Sequence, residues 1–273
     1  METQQDPPPT SDAESTLADS SGGPFAELGP TREPMAQRIV STLEACASSR
    51  GAMTIMELVK ATGFAKTTVH RMCWMLVELG LLEHSSEGFS VGSKMFALAA
   101  ANPRISELRI AAIPYLVELQ ERTGAMANLA ILSDGRALVI DGLFTRGSGH
   151  MPPLVGHALP LHCTGVGKAI AAQLDPKERD RLLFSKGPLP RATRNTLVQP
   201  GLLRQHIQRV AETGIAVADR EFLPGVKSVA AGFRLRDGGA AAIGVVEDWN
   251  SPTLRNAAVA VTAAAAALRR ALA

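Results

Sequence analysis

AKTTVHRMCWMLVELG, residues 65–80, reads as a helix with two unlike faces. Val69, Met72, Cys73, Leu76 and Leu79 recur at spacings of three and four, the apolar stripe of a helix packed on a core. Lys66, Thr67, Thr68, His70 and Arg71 crowd the first two turns with short hydroxyls and long donors. A helix that starts in hydrogen-bond donors and is held on a small helical core suits insertion into a DNA major groove. The same pattern also describes an ordinary amphipathic helix with a solvated face, so the neighbouring sequence has to decide.

Upstream, Pro34 offers a helix start, and Met35, Ile39, Val40, Leu43 and Cys46 form one apolar face. Thr54-Ile55-Met56-Glu57 matches a capping box opening a second helix. Thr62-Gly63-Phe64 is a short turn, so two short helices meet in a helix-turn-helix arrangement. Downstream, residues 81–84 and 88–91 read as a hairpin around Ser85-Ser86-Glu87, a β wing beside the helices. The first structured unit is therefore expected to be a winged helix-turn-helix over residues 34–92.

The totals agree with a globular chain of two domains. Its 273 residues are 46% hydrophobic and 20% charged, neither disordered nor membrane-like. The net charge of +2 is unevenly spread: residues 1–34 hold seven acids against Arg32, leaving +8 for residues 35–273. A mild basic excess of this kind helps association with DNA. Residues 1–33 are rich in Pro, Ser, Asp and Gly and bury too little apolar surface to offset ordering entropy, so a disordered acidic tail is expected. Cys46, Cys73 and Cys163 include no CxxC pair, which argues against a disulfide framework or zinc ribbon. Cys46 and Cys73 fall on apolar stripes and read as core. The first thirty residues lack the apolar region of a signal peptide, and the alanine-rich run at 257–268 is too short to span a bilayer. A cytoplasmic protein with no membrane partner is expected.

Beyond the wing, residues 93–104 are expected to form a linker helix that Asn102-Pro103 breaks. Residues 105–273 then read as a second domain. A helix over 105–122, bent or restarted at Pro114, comes first, followed by strands at 126–132 and 136–143 about Ser133-Asp134-Gly135. Residues 147–159 look irregular, and helices at 164–174, 176–184 and 200–213 follow. Strands at 215–219, 227–235 and 240–246 precede a last helix capped by Ser251-Pro252, with Leu254, Val261, Leu268 and Leu272 in line. Hairpins at both ends of a mixed domain indicate an α+β rather than a doubly wound fold.

LPLHCTGVGKAIAAQL, residues 159–174, is the most informative part of that domain. An extended run delivers His162 and Cys163 to a helix start where Gly165 and Gly167 leave the backbone N–H groups of Thr164, Gly165 and Val166 open. Such a start favours a carboxylate or phosphate. It is not a P-loop, since Ala169 follows Gly167-Lys168 and His162 occupies the first glycine position. His162 is a poor base for Cys163, because neighbours in an extended run point to opposite faces. On these residues alone two readings stay open, a pocket for an organic anion and glycines that merely allow close packing on a sheet. In DREFLPGVKSVAAGF, residues 219–233, Asp219 and Glu221 share a strand face, and Pro224-Gly225 returns the chain to Ser228. The six histidines show no HxxxH or HExxH spacing, so neither a metal nor any other cofactor is expected.

Together these segments resemble the IclR-type bacterial transcriptional regulators. The likeness runs from Met35 to Ala273. FAKTTVHRMCWMLVELGLLE (64–83), FSVGSKMFALA (89–99), LPLHCTGVGKA (159–169) and EFLPGVKSVAA (221–231) occur in the family's order. The resemblance implies a winged helix-turn-helix, a linker helix and a GAF/PAS-like α+β effector-binding domain. It implies a homodimer or homotetramer that binds a double-stranded DNA operator and responds to a small organic-acid effector. Carried over by position, Thr54, Lys66, Thr67, Thr68, His70 and Arg71 are the candidate DNA contacts. Cys163, Thr164, Gly165, Val166, Asp219, Ser228, Gly244 and Val246 are the candidate effector contacts. Ser228 stands where members often carry Cys, and Gly244-Val245-Val246 stands where they often carry an SxS strand. The pocket wall is thereby less polar than in relatives with small keto-acid effectors. Trp74 occupies a place where a small or polar residue is more usual. The implied activity is regulatory, not enzymatic. The alternatives are an enzyme using Cys163 and a ligand-free dimerisation protein.

Overall fold

The computed structural model describes residues 34–49, 51–144, 154–250 and 254–272. The expected disordered tail, the segment 147–153 and the Ser251-Pro252 cap lie outside the described residues. The chain divides into two compact units, one ending at Ser106 and the other starting at Glu107.

In the first unit, helix α1 (Met35–Ser48), α2 (Ile55–Thr62) and α3 (Lys66–Glu78) precede a two-stranded hairpin, β1 (Leu82–Ser85) and β2 (Gly88–Val91). The capping box at Thr54 is complete: its hydroxyl accepts from Glu57 N–H, and the Glu57 carboxylate accepts from Thr54 N–H at 2.8 Å. The core gathers Cys46, Leu58, Val69, Met72, Cys73, Leu76, Leu82 and Phe89. All but Phe89 and Leu82 are helical, and Phe89 ties in the wing. Met53 extends the hairpin by exchanging both backbone hydrogen bonds with Phe89. Gly88 has φ +131° and lies so close that a Cβ there would strike the Met53 carbonyl. Only glycine meets both demands.

Helix α4 (Ser93–Ala100) follows, and helix α5 runs Pro103–Thr123. Two expectations change here. Pro103 opens α5 rather than merely ending the linker helix, because a proline at the first helical position forfeits no hydrogen bond. The helix also continues through Pro114 without restarting. Leu108, Ala112, Leu116 and Leu119 form its buried line in the second unit, and they supply the packing that offsets the lost bond.

The second unit is built on β3 (Met126–Ser133), β4 (Arg136–Leu143), β5 (Ala158–Leu159), β6 (Ala216–Asp219), β7 (Val226–Arg234) and β8 (Ala240–Asp248). They form one antiparallel sheet in the order β5-β4-β3-β8-β7-β6. Short β5 is a strand within a segment expected to be irregular, and Arg136 pins its edge by donating to the Ala158 carbonyl at 2.8 Å. Between β5 and β6 the chain forms α6 (Gly165–Ala171), α7 (Pro176–Phe184) and α8 (Pro200–Thr213). Helix α6 packs on β7 and β8, where Gly232 sits against the Ala169 carbonyl. One core joins α6, α7 and α8 to Ala130, Ala230 and Ala242 of the sheet. Small residues on the strands let the helices approach closely. The final helix, α9 (Leu254–Ala271), packs on β7 and β8 with Val261 and Leu268 fully buried. The α+β reading holds, with the first and last strands of the sequence's two hairpins, β3 and β8, paired at its centre.

Candidate functional site

Helix α3 begins without a side-chain cap at Ala65 and without an acid in its first turn. Its first backbone N–H groups and its positive dipole end are therefore left open. Lys66, Thr67, His70 and Arg71 are exposed and Thr68 is half-buried, while Val69, Met72, Cys73 and Leu76 are buried. Lys66 with His70 and Thr67 with Arg71 are spaced four apart, so all four share one face. Thr54 is exposed, but its hydroxyl is engaged with Glu57 as the cap of α2.

Trp74 continues that face. Its indole N–H donates to His70 Nε2 at 3.2 Å. In neutral imidazole this assigns the proton to Nδ1, which is left as a donor. The ring lies 4.9 Å from His84 and 5.6 Å, edge-on, from Phe89, so Trp74 braces α3 against the wing. Its side, undecided in the sequence, is half out of the core at 40% exposure.

In the second unit a cavity opens between the α6 start, β6–β8 and the loop after β6, enclosing about 490 Å³ of empty space including its mouth. Cys163, Thr164, Gly165, Val166, Ser228 and Val246 line it; Asp219 and Gly244 do not. Asp219 ends β6, and Arg220 adopts φ +54°, which interrupts the strand alternation. Asp219 therefore turns out to Arg220 at 3.0 Å and Lys227 at 3.9 Å, whereas Glu221 turns in. The shared strand face expected for these two acids does not form. Gly244 faces β7 closely, with Val229 O and Ala230 Cβ 2.7 and 2.8 Å from where its Cβ would be.

The α6 start is less open than its sequence implies. The Thr164 hydroxyl accepts from Gly167 N–H at 3.1 Å and donates to the Pro160 carbonyl at 2.8 Å. Gly165 N–H donates to Ser228 Oγ at 3.1 Å. Helix α6 has only 7 residues, so it brings little dipole to an anion. Both glycines are also required for packing, since a Cβ on Gly165 would lie 2.7 Å from Ser228 Oγ and one on Gly167 would strike Pro160.

A buried ion pair, Lys168 with Glu221, sets the charge beside the cavity, and Asn128 adds a neutral amide. Lys168, with no exposed surface, donates from Nζ to Glu221 Oε1 at 2.7 Å and to the Val217 carbonyl at 2.6 Å. Burial pushes the Lys168 ammonium down and the Glu221 carboxyl up, each opposed by the other's charge. Asn128 reaches the cavity from β3. The available signal was a lysine amid small apolar residues, which needs a buried acid for company.

Cys163 is fully buried, and burial followed by the Glu221 charge pushes its thiol up to about 12. His162 faces elsewhere, bonded through Nε2 to the Pro190 carbonyl at 2.9 Å. A thiol so seldom ionised makes a poor nucleophile. Among the described residues no cluster of three His, Cys, Asp or Glu suits a metal, and no helix is long and apolar enough to cross a membrane.

The family model for the IclR helix-turn-helix domain matches residues 35–86, and that for the bacterial transcriptional regulator IclR C-terminal domain matches 104–270. The chain is 30% identical over 198 residues to the transcriptional repressor IclR of Escherichia coli K12, covering 71% of this chain and 72% of that protein. It is 33% identical over 223 residues to the HTH-type transcriptional regulator BhcR of Paracoccus denitrificans, covering 80% and 77%. Among solved structures, an IclR homologue from Microbacterium hydrocarbonoxydans complexed with 4-hydroxybenzoate shares the fold. The TM-score is 0.77 at 24% identity, over 88% of this chain and 99% of that one. With both its units matched and its relatives regulators, the chain belongs to the IclR family of DNA-binding bacterial transcriptional regulators.

Proposed function

We propose that this regulator acts in the cytoplasm, reads its operator with the exposed start of α3, and has its operator affinity set by a small organic effector in the cavity beside α6. Lys66 and Thr67 hold phosphates, while Thr68, His70 and Arg71 reach base edges. A dimer, or a pair of dimers, sets two copies of α3 in successive major grooves. Effector binding shifts the population between forms that fit the operator and forms that do not. The observation that carries the reading is one chain combining an uncapped, donor-rich helix face with a separate unit whose cavity is walled by Val166, Phe222, Leu223 and Val246. An organic acid with an apolar body is the effector class expected, and the 4-hydroxybenzoate held by the Microbacterium homologue belongs to it.

Calorimetry against aliphatic and aromatic acids, paired with gel shifts on the operator, tests this. Gly165→Leu fills the cavity wall next to Ser228, and it is expected to abolish the ligand response while operator binding persists. A mutant that still changes operator affinity on ligand addition moves the effector site elsewhere. Alkylation of Cys163 with loss of acid turnover would instead revive the enzyme reading.

A further inference from the structure

The polar end of the cavity holds acceptors that the protein leaves unused. Glu221 is 7% exposed and lines the cavity; Lys168 takes Oε1 and the Asp219 backbone N–H also acts on the carboxylate, while buried Oε2 has no close hydrogen-bond partner. Asn128 is 6% exposed, lines the same cavity, and its buried Oδ1 is likewise unpartnered. Buried polar atoms are nearly always paired, and these two, on residues of one cavity wall but themselves closed to solvent, meet a donor from outside the chain once their side chains turn toward the cavity.

The donors around them are mostly spent. Gly165 N–H goes to Ser228, Gly167 N–H to Thr164, and the Thr164 hydroxyl to Pro160. Ser228 Oγ, having accepted from Gly165, keeps its own hydrogen to give. Charge narrows the choice further. Lys168 and Glu221 already form a neutral buried pair, and Glu221 is the one carboxylate on the wall, with no Lys, Arg or His among the described lining residues. A ligand carboxylate there would meet like charge, and an ammonium would add an uncompensated cation away from water. A hydroxyl adds no charge, donates to an acceptor and can accept from Ser228.

We propose that Glu221 and Asn128 form a hydroxyl-selecting subsite. The effector's polar anchor is a neutral alcohol or phenol donating to Glu221 Oε2, and its apolar body lies along Val166, Phe222 and Val246. This rests on the cavity being the effector site. A carboxylate on the ligand lies elsewhere in the cavity; the Glu221 end does not take it.

Calorimetric titration of the full-length protein with phenol, toluene and benzoate, three probes on one ring, tests the subsite. Phenol is expected to bind at least tenfold more tightly than toluene, while benzoate, whose carboxylate sits away from Glu221, is expected to be indifferent to changes at that end. Because Glu221→Gln strands the buried Lys168 charge, the informative variant is the double substitution Lys168→Met with Glu221→Gln, which leaves no charge behind. It is expected to bring phenol within about threefold of toluene while toluene affinity stays unchanged. Asn128→Leu gives a second arm, expected to weaken phenol alone. Equal binding of phenol and toluene, or a benzoate affinity that falls along with phenol's in the double variant, overturns the subsite and leaves the cavity as effector site. Probe binding that survives Gly165→Leu overturns the cavity reading, and the subsite with it.

Discussion

Arg71 and Lys168 are both cations on helices, yet their surroundings give them opposite duties. Arg71 is exposed on the α3 face, where its guanidinium is free to read a base edge. Arg71→Ala is expected to weaken operator binding by about 1–3 kcal/mol if it makes one bidentate base contact. A gel-shift titration with unchanged affinity removes it from the reading set. Lys168 is sealed in the second unit against Glu221. Removing one member of such a pair strands the other charge, so Lys168→Met is expected to destabilise that unit by ~3–5 kcal/mol, with Glu221→Gln added in the double variant recovering much of the loss. Urea denaturation of the single and double variants measures both effects. A single variant as stable as the parent would mean that Glu221 is readily hydrated or protonated.

At the scale of elements, α3 and the wing are held to each other by rings as well as by the aliphatic core. Trp74 contacts His70 on its own helix and His84 and Phe89 on the hairpin. Trp74→Ala is expected to cost the first unit ~1–3 kcal/mol, between an aromatic-pair contribution and full core truncation, because the ring is partly exposed. It also frees His70 Nε2, so operator affinity falls along with stability. Thermal melts and gel shifts on the variant check the two losses; a melt unchanged from the parent would place the wing's stability entirely in the Met53–Phe89 pairing. The start of α6 follows similar logic, since Gly165 and Gly167 serve close packing, the reading left open beside the anion pocket.

Over the whole molecule, the acid side of the stability profile is shaped by two histidines of the second unit, buried His162 and half-buried His206. Burial, then the charges of Lys168 and Arg209, holds His206 down to about 4, and burial also lowers His162. Between pH 6.5 and 4 the unfolded chain takes up protons that these folded imidazoles refuse, so stability is full above that window and is lost as pH falls through it. The raised Glu221 carboxyl acts in the opposite sense, taking up its proton earlier when folded. His206→Gln is expected to flatten the fall in melting temperature between pH 6.5 and 4. An identical slope in parent and variant would assign the acid loss to other groups. If an effector binds only the folded second unit, saturating ligand at a hundredfold excess over Kd is expected to add about 2.7 kcal/mol to the unfolding of that unit. Calorimetry resolving the two units detects it, and an equal gain in the first unit would contradict a site confined to the second.

Local chemistry was enough for everything that repeats along the chain. The α3 stripe as far as Leu76, the Thr54 cap and the wing follow from helical spacing and from turn residues that act within a few positions, whereas Leu79 is exposed and β3 and β8 are buried on both faces, which spacing did not foretell. The exposed polar set at the α3 start, proposed to face DNA, follows as well, because a helix face is defined by its own spacing. What depended on the fold joins residues distant in sequence. Lys168 and Glu221 lie 53 residues apart, and Gly165 meets Ser228 across 63. A single left-handed residue, Arg220, sends Asp219 outward and Glu221 inward against the strand alternation. Spacing carries no record of such meetings, since they depend on which strand lies beside which helix. The acid in the cavity wall therefore belongs to the tertiary structure alone.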